Sequence, residues 1–434
     1  MGPELVIAIT FLIIFVLIAF KCPIFASLGI AGAVGIFLSR GVIGLTQVPL
    51  SIMSQLNNPV LVAAPLYIIM GETIAQTGIG RDLYFALHKW FYRLPGGLAV
   101  ASIFACAIFG AMCGVSIIGV AVIGVMALPE MLKHGYDKKL AVGSITAAGA
   151  LAMLIPPSLP FILYGAVSGV SVGKLFIGGI VPGVLLALVM AGYVLVKAFR
   201  NPALAVRSED RITWREKFSS LKRLWTALVL IVAVMVSIYT GICTPTEAGA
   251  IGAAVALLIG AFVYRSLNRE ALKKIFGNTA RIVGAVILIA ACAFAFGQFL
   301  LYTRVPDRLA EFSVSLGLSP FLVIMFFMVI LIFMGCFIDG ASIVLVTTPI
   351  FLPTVIALGY DPLWYGIILV MNLEMAVITP PVGLNLYTMK SITDNVTMEE
   401  IISGTMPYVL LEFAVLALFV VFPELALWLP RLMG

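Results

Sequence analysis

The sequence predicts an all-α integral membrane protein made of two inverted repeats, each carrying a re-entrant hairpin and a broken helix. Three observations lead there. The chain of 434 residues is 62% hydrophobic and only 11% charged, far from the composition of a water-soluble domain. Motifs recur at a fixed offset of 224 residues: "LPEMLKHGYD" from Leu128 and "LPTVIALGYD" from Leu352, then "IPPSLP" with Pro156 and "TPPVGL" with Pro380. Both Pro-Pro pairs interrupt apolar runs that are otherwise long enough to span a bilayer.

Taken in order, Leu5 to Phe20 is an apolar run preceded by Glu4 and by no basic segment, so it is expected to be the first membrane helix and not a cleaved signal peptide. Roughly ten full crossings plus re-entrant pieces follow from runs long enough to cross a layer about 30 Å thick. In the first repeat, residues 1–196, scaffold helices are expected over 1–77, an amphipathic arm over 78–95 and a hairpin over 98–132. A broken helix over 138–170 and a last helix over 175–196 complete it. A charged linker spans 197–223. In the second repeat, residues 224–434, the scaffold is expected over 224–302, the arm over 303–317 and the hairpin over 319–358. The broken helix then falls at 361–390 and the last helix at 404–429.

Each repeat contributes five crossings, an odd number, so the second must enter the membrane upside down relative to the first. Basic residues fix the orientation, because Lys and Arg accumulate in cytoplasmic loops. With the linker inside, 21 of the 26 basic residues fall on the cytoplasmic face and 5 outside. Both termini are then external; the resemblance given below implies that this is the periplasmic side of a bacterial inner membrane. The net charge of +6 sits in short loops between apolar runs, which is the membrane pattern and argues against a nucleic-acid partner. The six cysteines show no CxxC spacing and the two histidines lie in charged loops, so no zinc site, disulfide framework or catalytic triad is indicated. An intramembrane enzyme is excluded on that ground. A channel fits poorly with breaks paired to hairpins, which suggest a site that can be occluded.

Broken helices inside a bilayer are tolerated only where they are buried or line a cavity, because lipid cannot satisfy the freed N–H and C=O groups. In secondary transporters such breaks form substrate and ion sites near the midplane. Pro156 and Pro157 in the first break, and Thr379, Pro381 and Gly383 in the second, free carbonyls that can coordinate a cation. Ser158 and Asn385 open the half-helices that follow, where N–H groups can meet an anion. The hairpin tips face these breaks with Gly110, Cys113, Gly114 and Ser116 in one repeat and Gly335, Asp339, Gly340 and Ser342 in the other. Asp339 and Glu374 are acidic in apolar surroundings, and two roles stand for each: a part in the ion or substrate site, or a structural bond to free helix ends. Glu72 and Glu412 lie further away and read as packing residues. The core segments contain no Lys or Arg, so recognition of an anion is expected to rest on helix N-termini, hydroxyls and bound cations.

"RLPGGLA", "IPPSLPFILYG", "GIVPG", "GICTPTEAGAIGA" and "NLEMAVITPPVGLNLY" resemble the characteristic stretches of the large membrane subunit of TRAP transporters, the tripartite ATP-independent periplasmic systems. The likeness covers nearly the whole chain. It implies an elevator-type transporter fold and sodium-coupled import of an organic anion, with two or more Na+ as coupling ions. It also implies two partners, a periplasmic substrate-binding protein and a small four-helix membrane subunit. Carried over residue by residue, the ion sites would lie at Ser116 with Pro156 to Ser158, and at Gly335 to Ser342 with Thr379 to Gly383. One departure is visible: where the family commonly has "GSS" and then a threonine, this chain has Cys113, Gly114, Val115, Ser116 and then Gly119. The competing expectation is a stand-alone carboxylate carrier, coupled to sodium or protons and needing no partners.

Overall fold

Polar residues at the turns start nearly half of the helices. Thr213, Thr244 and Thr397 each form a capping box with the Glu three residues on, while Asn58, Asp137, Ser158, Asn268, Ser319, Asp339 and Asp361 accept a backbone N–H from the first turn they precede. Each such cap satisfies a donor that lipid would leave bare. The structure, a computed structural model, describes residues 2–205, 212–308, 311 and 319–433.

The first half comprises α1 (Pro3–Ala19), α2 (Ile24–Gly44), α3 (Gln47–Leu56), α4 (Ala63–Ala75), α5 (Ile79–Phe91), α6 (Gly97–Cys113), α7 (Ser116–Lys133), α8 (Lys138–Ala150), α9 (Leu159–Ser168) and α10 (Val172–Arg200). After α11 (Trp214–Leu221), the second half begins with α12 (Trp225–Ile231), which runs through a π turn into α13 (Ser237–Tyr239). Then come α14 (Pro245–Leu258), α15 (Arg269–Tyr302), α16 (Pro320–Gly335), α17 (Gly340–Ala357), α18 (Pro362–Val377), α19 (Leu384–Ser391), α20 (Met398–Val421) and α21 (Glu424–Leu432). The order α6 to α10 is repeated by α16 to α20.

Among the described residues, eight helices are long and apolar enough to cross a membrane alone, or nine if α3 and the segment from Pro59 to Ala75, bent by 48°, form one span. Length by itself counts α7 and α17 as spans, yet their partners α6 and α16 have 17 and 16 residues and reverse direction at a short tip. The ten residues of α9 from Leu159 end at a glycine stop, Gly169, and α19 is shorter still at 8 residues, so both act as half-helices.

Two groups of helices emerge from the packing. In one, α15 lies against α2, α3 and α4, and α14 lies against α4. In the other, α6 to α9 and α16 to α19 surround the two breaks, with α20 against α8 and α10 against α6 and α18. Small residues let these helices approach closely, which is how helices associate where lipid removes the hydrophobic drive. A Cβ on Gly143 of α8 would stand 2.1 Å from the carbonyl oxygen of Gly404 on α20, and one on Gly404 would stand 2.2 Å from Lys139 O. The halves are also stitched by hydrogen bonds: the Tyr164 hydroxyl of α9 donates to Pro362 O at 2.6 Å, and the Tyr67 hydroxyl of α4 donates to Pro245 O at 2.9 Å.

The arm helix α5 turns Ile79, Leu83 and Tyr84 inward and packs on α6 and α11. Its Asp82 accepts the Tyr264 hydroxyl at 2.8 Å and lies 3.7 Å from Arg223, which ties arm and linker together. The second arm expected at 303–317 is described to Arg308, which pairs with Glu4 at 3.8 Å; its remainder, apart from Glu311, lies outside the described residues. So do residues 206–211 of the linker.

Candidate functional site

The two hairpin tips and the two breaks meet. At the first tip, α6 stops because Gly114 takes a left-handed conformation, φ +64°, and Val115 is extended before Ser116 restarts the chain as α7. The turn is pressed onto the first break: Leu159 N donates to Gly114 O at 3.4 Å, and a Cβ at Gly114 would lie 2.6 Å from Pro157 O. Gly110 makes a similar approach to Ala152. Only glycine satisfies both the left-handed backbone and that spacing. Cys113 is buried behind the tip, its Sγ donating to Val115 O at 3.5 Å.

The second tip is built on the same plan with different residues. Val382 N, just past the second double proline, donates to Cys336 O at 3.2 Å, as Leu159 N does to Gly114. Gly335 abuts Ala376, where a Cβ would come within 2.1 Å of the alanine's methyl. Asp339 is the N-cap of α17, and its carboxylate accepts both the Ser342 backbone N–H, at 3.0 Å, and the Ser342 hydroxyl. Its oxygens are thus engaged by the first turn of α17.

Both Pro-Pro bonds, Pro156–Pro157 and Pro380–Pro381, are cis. In the first break the Ser158 hydroxyl donates to Met153 O and accepts Phe161 N. In the second, the Thr379 hydroxyl donates to Met375 O at 2.6 Å, Gly383 is left-handed at φ +52°, and Asn385 Nδ2 donates to Thr146 O on α8 at 3.3 Å. Asn385 therefore links the break of one repeat to the half-helix of the other. Tip and break also cross between repeats, since a Cβ at Gly340 would be 2.6 Å from Met153 Cε.

Between these elements lies a cleft of about 340 Å³. Of the residues singled out from the sequence, Gly114, Ser116, Asp339 and Gly340 line it, alongside Val377 and Leu384, which flank the second break. Gly110, Cys113, Pro156, Pro157, Ser158, Gly335, Ser342, Thr379, Pro381, Gly383 and Asn385 are not among its lining residues. Glu374 is fully buried on α18 and interacts with Glu412 of α20, across the contact between those helices. Glu72 accepts Asn278 Nδ2 at 3.1 Å, which joins α4 to α15. No group of three or more His, Cys, Asp or Glu that could hold a metal occurs among the described residues.

One expectation is corrected. The cleft is not free of basic residues: its far wall is α15, which presents Arg281 together with Ile282, Ala285, Val286 and Ile289. Arg281 reads in sequence as the last member of a cytoplasmic basic cluster that begins at Arg265. The available signal is the six-residue gap after Lys274 and the apolar run that follows at once.

A duplicated set of membrane helices whose paired tips and interrupted helices close on one cleft defines a multi-pass membrane transport protein. Comparison with known proteins narrows the class. Residues 11–425 match the family model described as "Tripartite ATP-independent periplasmic transporter, DctM component". The chain belongs to this family and is a large permease component of a tripartite transporter, not an enzyme. It is 32% identical over 410 residues, 94% of each chain, to the C4-dicarboxylate TRAP transporter large permease protein of Pseudomonas aeruginosa. It is 29% identical to the sialic acid TRAP transporter large permease protein of Vibrio cholerae, over 90% of each chain. In fold it is similar to the YdaH transporter of Alcanivorax borkumensis, with a TM-score of 0.65 at 15% identity, covering 91% of this chain and 90% of that one.

Proposed function

We propose that this chain imports an organic acid anion across the inner membrane of a bacterium, driven by Na+ and supplied by a periplasmic substrate-binding protein. A small four-helix membrane subunit accompanies it, and both termini face the periplasm. The observation that carries the reading is the convergence of both tips and both breaks on a single cleft. Four helix starts, at Ser116, Leu159, Gly340 and Leu384, border that cleft, and the partial positive charge at a helix N-terminus suits a carboxylate. The carbonyls and hydroxyls of the tips and breaks are hard oxygen donors of the kind a small cation prefers. Carboxylic acids are also what the names of the relatives from Pseudomonas aeruginosa and Vibrio cholerae specify.

The elevator reading rests on the division of packing. Every polar liner but one sits on the hairpins and breaks, while α15, the opposite wall, packs on α2, α3 and α4. Sliding of the first unit along α15 would expose the cleft alternately to either side. The test uses the complex with its binding protein in proteoliposomes, with labelled succinate, N-acetylneuraminate and isethionate as probes. Uptake of one probe is expected to saturate and to stop when Na+ is replaced by K+; uptake indifferent to Na+ refutes the coupling. Bridging Ser116→Cys to Ala285→Cys with a bifunctional maleimide is expected to halt uptake, and undiminished uptake after complete bridging refutes the sliding unit.

A further inference from the structure

Arg281 stands about 18 Å along α15 from Arg269, at 1.5 Å per residue. With Ile282, Ala285, Val286 and Ile289 it forms one face of that helix, and this face is the wall of the cleft opposite the tips. The guanidinium is exposed to the cleft, and none of the five ion pairs found among the described residues involves it. A cationic side chain among apolar neighbours is ordinarily paired or extended to water. Around the cleft the only other charged side chain among the described residues is Asp339, whose two carboxylate oxygens are taken by Ser342.

The balance of charge inside is therefore one-sided. A full positive charge on α15 faces the N-termini of α7, α9 and α17, all of which carry partial positive charge in the same sense. The residues of α15 that line the cleft beside Arg281, namely Ile282, Ala285 and Val286, are apolar, and the Asn278 amide one turn before it donates to Glu72. An oxyanion is the chemical group that this arrangement recognises, and the planar guanidinium fork binds a carboxylate through two parallel hydrogen bonds.

We propose that Arg281 is a specificity-determining residue, the anchor that pairs with the anionic group of the transported substrate from the α15 side of the cleft. The inference rests on the organic-anion reading above. It adds that recognition is divided between two bodies: helix starts on the hairpins and breaks hold the anion from one side, and a guanidinium on the packed α2, α3, α4 and α15 group holds it from the other. Contact with Arg281 is then made in the arrangement described here and is broken whenever the hairpin unit moves along α15.

The experiment measures uptake by the reconstituted complex of wild type, Arg281→Lys and Arg281→Gln at saturating Na+, with the probe that wild type transports. Arg281→Gln is expected to raise KM for that probe by about tenfold or more, the scale of a lost charge-assisted pair. Arg281→Lys is expected to fall between, and the Na+ concentration for half-maximal rate to stay within about twofold. Substitution at an exposed position leaves the fold intact, which elution as a monodisperse complex checks. With the probe's anionic group converted to the neutral amide, or to the sulfonamide for isethionate, wild type is expected to lose far more than Arg281→Gln does, because the variant has no charge left to miss. An unchanged KM in Arg281→Gln, with the same amide penalty as wild type, makes Arg281 a residue that merely reaches for interfacial water and overturns the proposal while leaving the transport reading intact. Failure of wild type to take up any of succinate, N-acetylneuraminate and isethionate overturns the organic-anion reading first, and this inference with it.

Discussion

Replacing Gly143 with alanine is the sharpest single test of how the two halves are joined. The added methyl would sit 2.1 Å from Gly404 O and 2.4 Å from Gly404 C. Real methyl contacts do not fall below 3.0 Å, so α8 and α20 must separate by at least about 1 Å, and both contact partners are backbone that cannot swing aside. Overpacking of this kind costs about 1–3 kcal/mol. The helix-propensity gain of about 1 kcal/mol for Gly→Ala offsets only part of it. Gly192→Ala on α10 is the control, since nothing lies within 4 Å of its Cβ; there the propensity gain stands alone. Purified variants are compared by thermal unfolding in one detergent at one scan rate, because membrane proteins commonly unfold irreversibly. Gly143→Ala is expected to melt several degrees below wild type and Gly192→Ala at or above it. Equal melting temperatures for the two alanine variants refute the claim that α8 and α20 are in backbone contact.

Asp339→Asn keeps an effective N-cap for α17, as asparagine caps nearly as well as aspartate, so folded yield should match wild type while the Na+ dependence of uptake weakens; a wild-type sodium response at normal yield removes Asp339 from the ion site. For orientation, single cysteines at Asn201 and Met433, both exposed, are placed in a cysteine-free background. Only the one at position 433 should react with an impermeant thiol reagent in intact cells, and labelling at 201 alone reverses the topology.

Much of this architecture is written in local chemistry. Pro156–Pro157 and Pro380–Pro381 remove backbone donors at matched points of two apolar runs, so the interruption of both helices is readable without a structure. The caps at Asp137 and Asp361, and the glycine that ends α6, are equally local. What a helix faces is another matter. Arg281 follows the cytoplasmic basic cluster in sequence, and only the packing of α15 on α2 and α3 turns it toward the tips. Asn385 looks like one more polar residue beside a break; its bond to Thr146 exists because α19 is laid against α8 from the other repeat. Glu374 reads as a neighbour of the second break, yet side-chain direction on α18 sends it toward Glu412. In each case sequence spacing gives the position and tertiary contact gives the partner.

The glycine contact between α8 and α20 also has a consequence for biosynthesis. Gly404 follows Gly143 by 261 residues, and at about 5–20 residues per second the ribosome needs roughly 13–50 s to deliver it. Throughout that interval α8 has been made without the helix that will cover its smallest face, and the second break, with its Asn385, does not yet exist to meet Thr146. The transport cleft is thus a late product of translation: the first repeat cannot complete its own half of the site, and the newborn chain must hold a bare groove in the membrane until almost its last helix arrives.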